Sequence, residues 1–309
     1  MRYIEEKTDF KLHNSVVTLG KFDGIHIGHQ MLLNHVIELK QQGYQSVMFT
    51  FSLHPYNLFS EKEFSMIYTN EEKLHKLQEE GLDVLIAYPF TKETAALEPE
   101  EFIEEVLVKK VDAKVIVVGN DFCFGKNRRG NVDLLIRHAS KYGYKVYAYE
   151  KVEYNGRVVS STRVREEITK GNMEAVNKML AKPFSIRGVV VHGRKLGRTL
   201  GMPTINMIPP EDKLLPPNGV YAATIEIDGK NYYGVSNIGQ KPTVSDERRT
   251  GLETFIFDYE GDLYGRELEV CLYYHQRPEM KFNGIDELKA QMEQDIQNAK
   301  KYFDYIVTG

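Results

Sequence analysis

The first half of the chain alternates short apolar runs with stretches of helical periodicity. The apolar runs lie at Val16–Leu19, Val47–Phe51, Val84–Tyr88, Val115–Val118 and Lys145–Tyr149. Apolar side chains recur at helical spacing between them, at Leu32, Leu33, Val36 and Ile37 and within Glu71–Glu80, Glu100–Lys110 and Val132–Tyr142. Short buried strands separated by helices are typical of a parallel sheet that is covered on both faces. We therefore predict a doubly wound α/β domain over residues 1–182.

The second half of the chain has a period of two instead. Apolar residues alternate with Ala, Thr and Glu between Tyr221 and Ile227, and Asp228-Gly229 then leads into Tyr232–Val235, which is the pattern of a β-hairpin. Further strands are predicted at Ser185–Val191, Glu253–Tyr259 and Leu268–Tyr274. A closing helix carries the apolar stripe Ile285, Leu288, Met292, Ile296 and Ala299. We predict a small antiparallel β-barrel with a C-terminal helix over residues 183–309, joined to the first domain near Ala181-Lys182-Pro183.

Composition narrows the class of protein. The length of 309 residues suits two domains, and 42% hydrophobic with 27% charged residues excludes global disorder, collagen and a disulfide scaffold. The net charge is −4, and the residues from Pro183 onward contain 15 Lys and Arg against 18 Asp and Glu. A nucleic-acid-binding barrel would need a basic face, so we expect no nucleic acid partner.

The cysteines and the apolar runs indicate a cellular compartment. Cys123 and Cys271 are far apart and have no metal-like spacing, which favours a reducing environment. No apolar run approaches the roughly 20 residues of a membrane helix, and the N-terminal residues show no signal-peptide pattern. We expect a cytoplasmic protein with no membrane partner, and the sequence leaves its oligomeric state open.

A glycine-rich segment follows the first predicted strand and runs into the first predicted helix. It reads Gly-Lys-Phe-Asp-Gly-Ile-His-Ile-Gly-His, and its glycines are Gly20, Gly24 and Gly28. Ligands of open α/β sheets bind beyond the carboxyl ends of the strands, where glycine allows a close approach of the backbone. His26 and His29 fall on one side of the helix start and can donate hydrogen bonds to phosphate oxygens. Histidines at other places in a fold are far more often structural.

Two further segments of the first domain combine cations with other ligand-binding groups. Ser160-Ser-Thr-Arg-Val-Arg enters a helix, so Ser161 or Thr162 could serve as its cap, and the hydroxyl pair with two arginines could also clamp phosphate. A glycine-bounded loop from Gly119 to Gly130 contains two phenylalanines and three cations. That loop fits an aromatic ligand carrying phosphate, or else it is a solvated basic loop.

The barrel half opens with a different basic, glycine-rich segment. Gly193, Gly197 and Gly201 interleave with three cations, Arg194, Lys195 and Arg198, so backbone N–H groups and cations could together bind phosphates. The segment is not a P-loop, because Arg and Lys stand where Lys and a hydroxyl are needed. Thr204 and Asn206 share one face if they lie on a strand, and their oxygens suit Mg²⁺.

Three motifs of the first domain resemble the adenylyltransferase half of bacterial bifunctional riboflavin kinase/FAD synthetases. They are Gly-x-Phe-Asp-Gly-x-His-x-Gly-His, Asp-Phe-x-Phe-Gly and Ser-Ser-Thr-x-x-Arg. The resemblance implies a Rossmann-like nucleotidylyltransferase domain in which FMN attacks ATP to give FAD and pyrophosphate. It implies ATP-binding roles for Gly20, Phe22, Asp23, Gly24, His26, Gly28, His29, Ser161, Thr162 and Arg165, with the two histidines also catalytic. It places Asp121, Phe122 and Phe124 against the flavin.

The second half resembles the riboflavin kinase module of the same family. The matching residues are Gly-Arg-x-Leu-Gly-x-Pro-Thr-x-Asn, Gly219-Val-Tyr221, Asn237-Ile-Gly-x-x-Pro-Thr243 and Asp262-Leu-Tyr-Gly265. The resemblance implies a six-stranded antiparallel barrel with a C-terminal helix that phosphorylates riboflavin to FMN with ATP. It implies Glu253 as the general base and Arg277 near the flavin. It implies ATP binding by Gly193, Lys195, Gly197, Arg198, Thr204 and Asn206, with Thr204 and Asn206 as the Mg²⁺ ligands.

Four residues depart from the family pattern and leave other functions open. They are Lys21, Leu53, Ile205 and Val244. None of them removes a chemical group, but each could weaken one half of the enzyme. One alternative is therefore a monofunctional FAD synthetase or riboflavin kinase. An alternative of a different class is a non-enzymatic module that binds flavin or nucleic acid through the barrel and its basic loop at residues 187–198.

Overall fold

The computed structural model describes residues 1–52, 65–193, 197, 200–242 and 248–308. The chain divides into two compact units, Met1–Ser161 and Thr162–Gly309. Within the described ranges, no helix combines the length and the apolar character needed to cross a membrane. The division between the units lies before residue 182, and the assignment of residues 1–182 and 183–309 to separate functions stays a prediction.

The first unit is built on a six-stranded parallel sheet. Its strands are β1 (Arg2–Glu5), β2 (Ser15–Leu19), β3 (Gln45–Phe51), β4 (Val84–Tyr88), β5 (Ala113–Gly119) and β8 (Lys145–Tyr149). They lie in the order β1-β4-β3-β2-β5-β8, and all the pairs are parallel. The chain moves outward from β2 in one direction and then returns to place β5 on its other side. The switch point where ligands bind in such sheets is therefore the carboxyl ends of β2 and β5.

Helices cover both faces of this sheet. They are α1 (Ile27–Glu38), followed by a 3₁₀ turn (Leu39–Gln42), α2 (Asn70–Glu79), α3 (Lys92–Ala95), α4 (Pro99–Glu101, continued by a π-helix over Phe102–Lys110) and α5 (Val132–Tyr142). One hydrophobic cluster joins Leu33 and Leu77 to one face of the sheet, and another joins Ile103 and Leu135 to the opposite face. Burial on both faces explains why the central strands read as continuous apolar runs.

Short paired strands occupy two loops of the first unit. β6 (Cys123–Phe124) pairs with β7 (Gly130–Asn131) directly after β5, and β9 (Glu153–Tyr154) pairs with β10 (Arg157–Val158) after β8. Because β2 and β5 are adjacent in the sheet, the loops that follow these two strands are neighbours at the switch point.

The second unit begins with two helices and continues as a closed barrel. The helices are α6 (Ser161–Lys170) and α7 (Met173–Leu180), and the barrel strands are β11 (Phe184–Val191), β12 (Thr204–Met207), β13 (Gly219–Ile227), β14 (Lys230–Pro242), β15 (Arg248–Ile256) and β16 (Glu267–Pro278). The barrel closes in the order β11-β12-β15-β14-β13-β16, with antiparallel pairs throughout. Asn177 of α7 donates to the Leu272 carbonyl and accepts from the Phe184 N–H, so α7 is fixed to the barrel.

A long C-terminal helix, α8 (Ile285–Thr308), completes the second unit. Its residues Ala299 and Phe303 pack against Ala222 and Phe257. The predicted fold class, a doubly wound α/β domain followed by a six-stranded antiparallel barrel and a C-terminal helix, is confirmed.

Candidate functional site

The loop from Gly20 to His26, between β2 and α1, is held tightly against the rest of the first unit. Phe22 has a φ of 47° and its ring is completely buried. Gly24 has a φ of 71°, and a Cβ there would press on the side chain of Ile67. The buried Asp23 carboxylate accepts a hydrogen bond from the Ile67 N–H at 2.9 Å. Phe22 and Asp23 therefore shape the loop at the switch point.

His26 and His29 stack on each other at the start of α1, with ring centroids 3.7 Å apart and planes 16° from parallel. His26 is the cap residue, and its Nδ1 accepts the His29 backbone N–H at 3.3 Å, so the neutral ring carries its proton on Nε2. His29 Nδ1 lies 2.8 Å from the Gly24 carbonyl and must donate to it, which leaves Nε2 of the neutral ring as an acceptor. A Cβ on Gly28 would contact the His26 ring at 3.3 Å, so this glycine keeps the pair uncrowded.

Burial keeps both imidazoles neutral. Desolvation, together with the charge of the neighbouring His29, lowers the pKa of His26 to about 2. Desolvation also lowers the pKa of His29 to about 4, although the hydrogen bond to Gly24 opposes that shift. An anion bound beside the rings would favour their charged forms, because nearby opposite charge raises the pKa of an imidazole. The pair can therefore bind phosphate by hydrogen bonds and take up a proton as it does so.

The loop after β5 carries the predicted flavin-binding residues. Phe122 and Phe124 stack with centroids 5.6 Å apart and planes 16° from parallel. Phe124 is only 8% exposed and packs on Phe102, whereas Phe122 is half-buried. The exposed Asp121 forms an ion pair of 2.9 Å with Lys151. Phe122 is therefore the aromatic residue of this loop with the most surface to offer a ligand.

The three cations of the same loop have different surroundings. Lys126 forms an ion pair of 3.3 Å with Glu98, and Arg129 also pairs with Glu98. Arg128 makes no ion pair within the described ranges. Desolvation and then the charge of Arg128 lower the pKa of Lys21, one of the four departures from the family pattern. The positive charge that this loop offers a ligand is therefore concentrated at Arg128.

The predicted hydroxyl and arginine residues lie in the first two turns of α6. The helix begins at Ser161, which puts the cap position at Ser160 rather than at Ser161 or Thr162. Thr162 is exposed, while Ser161 and Arg165 are half-buried. Thr162 is therefore the most accessible of the three predicted phosphate contacts.

A cavity of about 640 Å³ opens in the second unit and gathers most of the predicted kinase residues. Gly193, Gly197, Thr204, Asn206, Glu253 and Arg277 all line it. Met280, Phe282, Leu288, Met292 and Ile296 also line it and make part of the wall apolar. A cavity with both polar and apolar walls suits a ligand that has a large ring system and a polar chain.

Thr204, Asn206 and Glu253 meet because β12 and β15 are paired. Asn206 lies opposite Glu253 in the ladder, so Thr204 and Glu253 are diagonal neighbours. The Thr204 hydroxyl donates to Glu253 Oε1 at 2.6 Å. A Cβ on Gly193 would overlap the buried Asn206 carboxamide, so any other residue there would displace this side chain. The structure thus brings the predicted base and the two predicted oxygen ligands together on one wall.

Arg277 is held rigidly by the C-terminal helix. Its Nε and Nη2 donate to both oxygens of the Asp295 carboxylate, with a closest approach of 2.6 Å. Asp295 is 3% exposed and also accepts from Gln291 Nε2 at 2.9 Å. The Arg277 guanidinium lies 5.9 Å from the centre of the Phe282 ring. The bidentate pair therefore fixes the guanidinium at the cavity wall.

Some predicted residues lie outside the described residues, and some lining residues were not predicted. Lys195 and Arg198 of the basic segment, and the departures Leu53 and Val244, are outside the described ranges. Sequence reasoning missed Asp295 and the apolar lining residues on α8. The signal was the apolar stripe of that helix, which we interpreted only as a packing face. Leu288, Met292 and Ile296 belong to both the stripe and the cavity wall.

Comparisons with known proteins match both halves of the chain. The FAD synthetase family model matches residues 9–163, and the riboflavin kinase family model matches residues 180–303. A bifunctional riboflavin kinase/FMN adenylyltransferase of Listeria monocytogenes is 34% identical over 97% of this chain and 95% of its own. Its counterpart in Escherichia coli is 38% identical over 93% of this chain and 92% of its own.

A solved structure has the same fold over nearly the whole length. It is a crystal structure described as a macrolide-efflux protein from Streptococcus pneumoniae, with a TM-score of 0.84 and 30% sequence identity. The similarity covers 96% of this chain and 98% of that one.

Proposed function

The chain belongs to the family of bifunctional riboflavin kinase/FMN adenylyltransferases, and we propose that each half carries one of the two reactions at the sites described above. It is a transferase of flavin biosynthesis that uses ATP. We assign the kinase reaction to residues 183–309 and the adenylyl transfer to residues 1–182. The observation that carries the proposal is the meeting of Thr204, Asn206 and Glu253 on one wall of a flavin-sized cavity.

In the kinase reaction, Glu253 removes the proton from the ribityl 5′-hydroxyl of riboflavin. That oxygen forms a bond to the γ-phosphorus of ATP, the bond to the β,γ-bridging oxygen breaks, and ADP leaves. The hydrogen bond from Thr204 orients the Glu253 carboxylate toward the cavity that it lines. Arg277, fixed by Asp295, lines the cavity and would position the flavin ring system.

The donor set beside Glu253 fits Mg²⁺. Thr204 and Asn206 offer neutral oxygens on one strand face, and Gly193 leaves room for the Asn206 carboxamide. Thr204 and Asn206 would hold the ion, and bound Mg²⁺ neutralises phosphate charge. Lys195 and Arg198 would contact the ATP phosphates, a role that rests on the sequence motif alone.

In the adenylyl transfer, a phosphate oxygen of FMN forms a bond to the α-phosphorus of ATP, and pyrophosphate leaves as the bond to the α,β-bridging oxygen breaks. This nucleophile is already anionic, so the site needs charge stabilisation more than a strong base. The Nε2–H of His26 would donate to a phosphate oxygen. His29 would donate as well once the incoming negative charge has favoured its protonation.

The remaining contacts of this site are proposed from the sequence motifs. Ser161, Thr162 and Arg165 would bind ATP phosphates, and Asp121 and Phe122 would face the flavin of FMN. Phe124 would support Phe122 from below, because it is largely buried. We further propose that the protein works in the cytoplasm without a nucleic acid or membrane partner.

The test uses purified protein with ATP and Mg²⁺, supplied in one reaction with riboflavin and in another with FMN. Chromatographic separation of the flavins is expected to give FMN and FAD in the first reaction and FAD in the second. Absence of both products from both reactions would overturn the proposal. FAD from FMN without FMN from riboflavin would leave only the adenylyltransferase active, the alternative that Ile205, between the two proposed metal ligands of the kinase, keeps open.

A further inference from the structure

Helix α2 carries a largely buried lysine, Lys73, whose ammonium group is not paired with any side chain in the described part of the chain. Lys73 is 4% exposed, so nearly all of its side chain is removed from water. Within the described part of the chain, its ammonium group makes no hydrogen bond and no ion pair. Removal of a charge from water is unfavourable, so largely buried charged groups normally have a counter-charge or change their protonation. Desolvation accordingly lowers the pKa of Lys73, and the carboxylate of Asp23 raises it only in part.

The packing of α2 places Lys73 beside the phosphate-binding loop. Leu77, four residues later on the same helix face, belongs to one hydrophobic cluster with Phe22 and Leu33. Lys73 therefore lies on the face of α2 that packs toward α1 and the loop, one turn nearer to the amino end. At that end, the side chain of Ile67 is in contact range of Gly24.

Electrostatic effects agree with this placement. The positive charge of Lys73 lowers the pKa of His29, while Asp23 raises the pKa of both residues. Asp23 does not neutralise Lys73 as a close ion pair, since its Oδ1 accepts from the Ile67 N–H and no oxygen of it lies within 4 Å of the ammonium. His29 and Lys73 are thus neighbours that an anion between them would stabilise together.

We propose that Lys73 is a further phosphate-binding residue of the adenylyltransferase site, where its ammonium contacts the triphosphate of ATP and then the pyrophosphate product. The inference rests on the proposed adenylyl transfer in the first half of the chain. A phosphate would supply the counter-charge that the fold does not, and an ammonium in a water-poor site binds it strongly.

The same helix offers a matched control. Lys76 is 8% exposed, but its ammonium lies 4.9 Å from the centre of the Tyr68 ring, and so has an aromatic partner. Replacement of either lysine by methionine removes one buried charge from α2. A loss of FAD synthesis that arises only from weakened packing of this helix should therefore occur in both variants.

The experiment measures FAD synthesis by Lys73→Met, Lys73→Arg and Lys76→Met. A charge-assisted hydrogen bond contributes about 1.5–3 kcal/mol, so Lys73→Met is expected to raise the KM for ATP and the inhibition constant of pyrophosphate by roughly 10- to 100-fold. The KM for FMN should change by less than about twofold, because the proposed contact is with ATP and not with FMN. Lys73→Arg should recover part of the loss, and Lys76→Met should keep wild-type constants.

Unchanged ATP and pyrophosphate constants in Lys73→Met, or an equal rise in Lys76→Met, would overturn the inference. If Lys73→Met does not fold, the wild-type protein still provides a test. The rate of Lys73 acetylation, monitored by mass spectrometry relative to that of Lys76, should fall when pyrophosphate is added. Equal rates of Lys73 acetylation with and without pyrophosphate would contradict the contact. A wild-type protein that makes no FAD from FMN would instead refute the proposed function.

Discussion

Glu253 and Thr204 share a hydrogen bond of 2.6 Å, which couples the proposed base to a proposed metal ligand. A single threonine hydroxyl can donate its proton to the carboxylate and still offer lone pairs on its oxygen. This arrangement follows from diagonal positions on paired strands. It explains why a half-exposed glutamate on a strand, which would otherwise be a solvated residue, has a fixed orientation.

Replacement Glu253→Gln should remove the base while keeping the hydrogen bond from Thr204. We expect the kcat for riboflavin phosphorylation to fall by about 10²- to 10⁴-fold, the usual contribution of general base catalysis. FAD formation from supplied FMN is the control and should keep its wild-type rate. Full riboflavin kinase activity in this variant would show that another group accepts the proton.

The buried histidines make the stability of the first unit dependent on pH. The folded-state pKa of His29 is lowered to about 4, below the value of roughly 6.5 expected in the unfolded chain. The unfolded chain therefore binds more protons between these values, and the contribution of His29 to stability is complete above about pH 6.5 and is lost as the pH falls toward 4. The loss is at most about 3 kcal/mol.

Calorimetric melting of the wild type and of His29→Gln at several pH values tests this expectation. The wild type should lose more of its melting temperature than the variant between pH 7 and pH 5. Parallel pH profiles for the two proteins would contradict the neutral assignment of His29.

At the scale of elements, the C-terminal helix is both a packing element and a wall of the kinase cavity. Asp295 on this helix accepts three hydrogen bonds from Arg277, and Leu288 and Met292 line the cavity. Movement of α8 would therefore displace the group proposed to position the flavin. The packing of this helix on the barrel therefore also determines the shape of the cavity wall.

Replacement Asp295→Asn should loosen Arg277 without removing it. We expect the KM for riboflavin to rise by about tenfold, because a buried charged hydrogen bond contributes roughly 1.5–3 kcal/mol, while the KM for ATP changes little. Asp286→Asn, at an exposed position in the first turn of the same helix, is the control and should resemble the wild type. Equal rises in both KM values for Asp295→Asn would indicate a general loss of structure rather than loss of flavin positioning.

Element prediction from the sequence succeeded for most of the first unit, including the edge strand Lys145–Tyr149, and failed for its other edge strand. The strand predicted at Val84–Tyr88 and the helix predicted at Val132–Tyr142 have the same bounds in the structure. Strand β1 (Arg2–Glu5) was not predicted, because an edge strand with mixed exposure has no continuous apolar run. The strand predicted at Glu253–Tyr259 ends at Ile256, and β15 begins earlier, among polar residues that the alternation rule does not detect.

The sites were predictable where their residues are close in sequence. Sequence spacing alone indicates two such pairs, His26 with His29 and Thr204 with Asn206. The structure places each pair on one side of its element. Lys73 and Asp295 could not be found in this way, since their significance depends on burial and on partners distant in the chain. A lysine or an aspartate on an amphipathic helix looks like a solvated residue until the helix is packed.

At the scale of the whole molecule, one chain forms two compact units and carries two proposed phosphate-binding sites. The product of the proposed kinase reaction, FMN, is the acceptor of the proposed adenylyl transfer. The net charge of −4 gives no hint of this, because cations that could face phosphate are confined to short segments of each unit. Substitutions at the residues of one proposed site should therefore affect one reaction and spare the other.

The most direct test of the account is a time course of flavins in a reaction that starts with riboflavin, ATP and Mg²⁺. FMN should appear first and FAD should follow after a lag, because the second reaction consumes the product of the first. In Glu253→Gln the FMN and FAD should both be lost, and added FMN should restore FAD alone. A wild-type reaction that accumulates neither flavin, or a Glu253→Gln protein that converts riboflavin to FAD at the wild-type rate, would contradict the account.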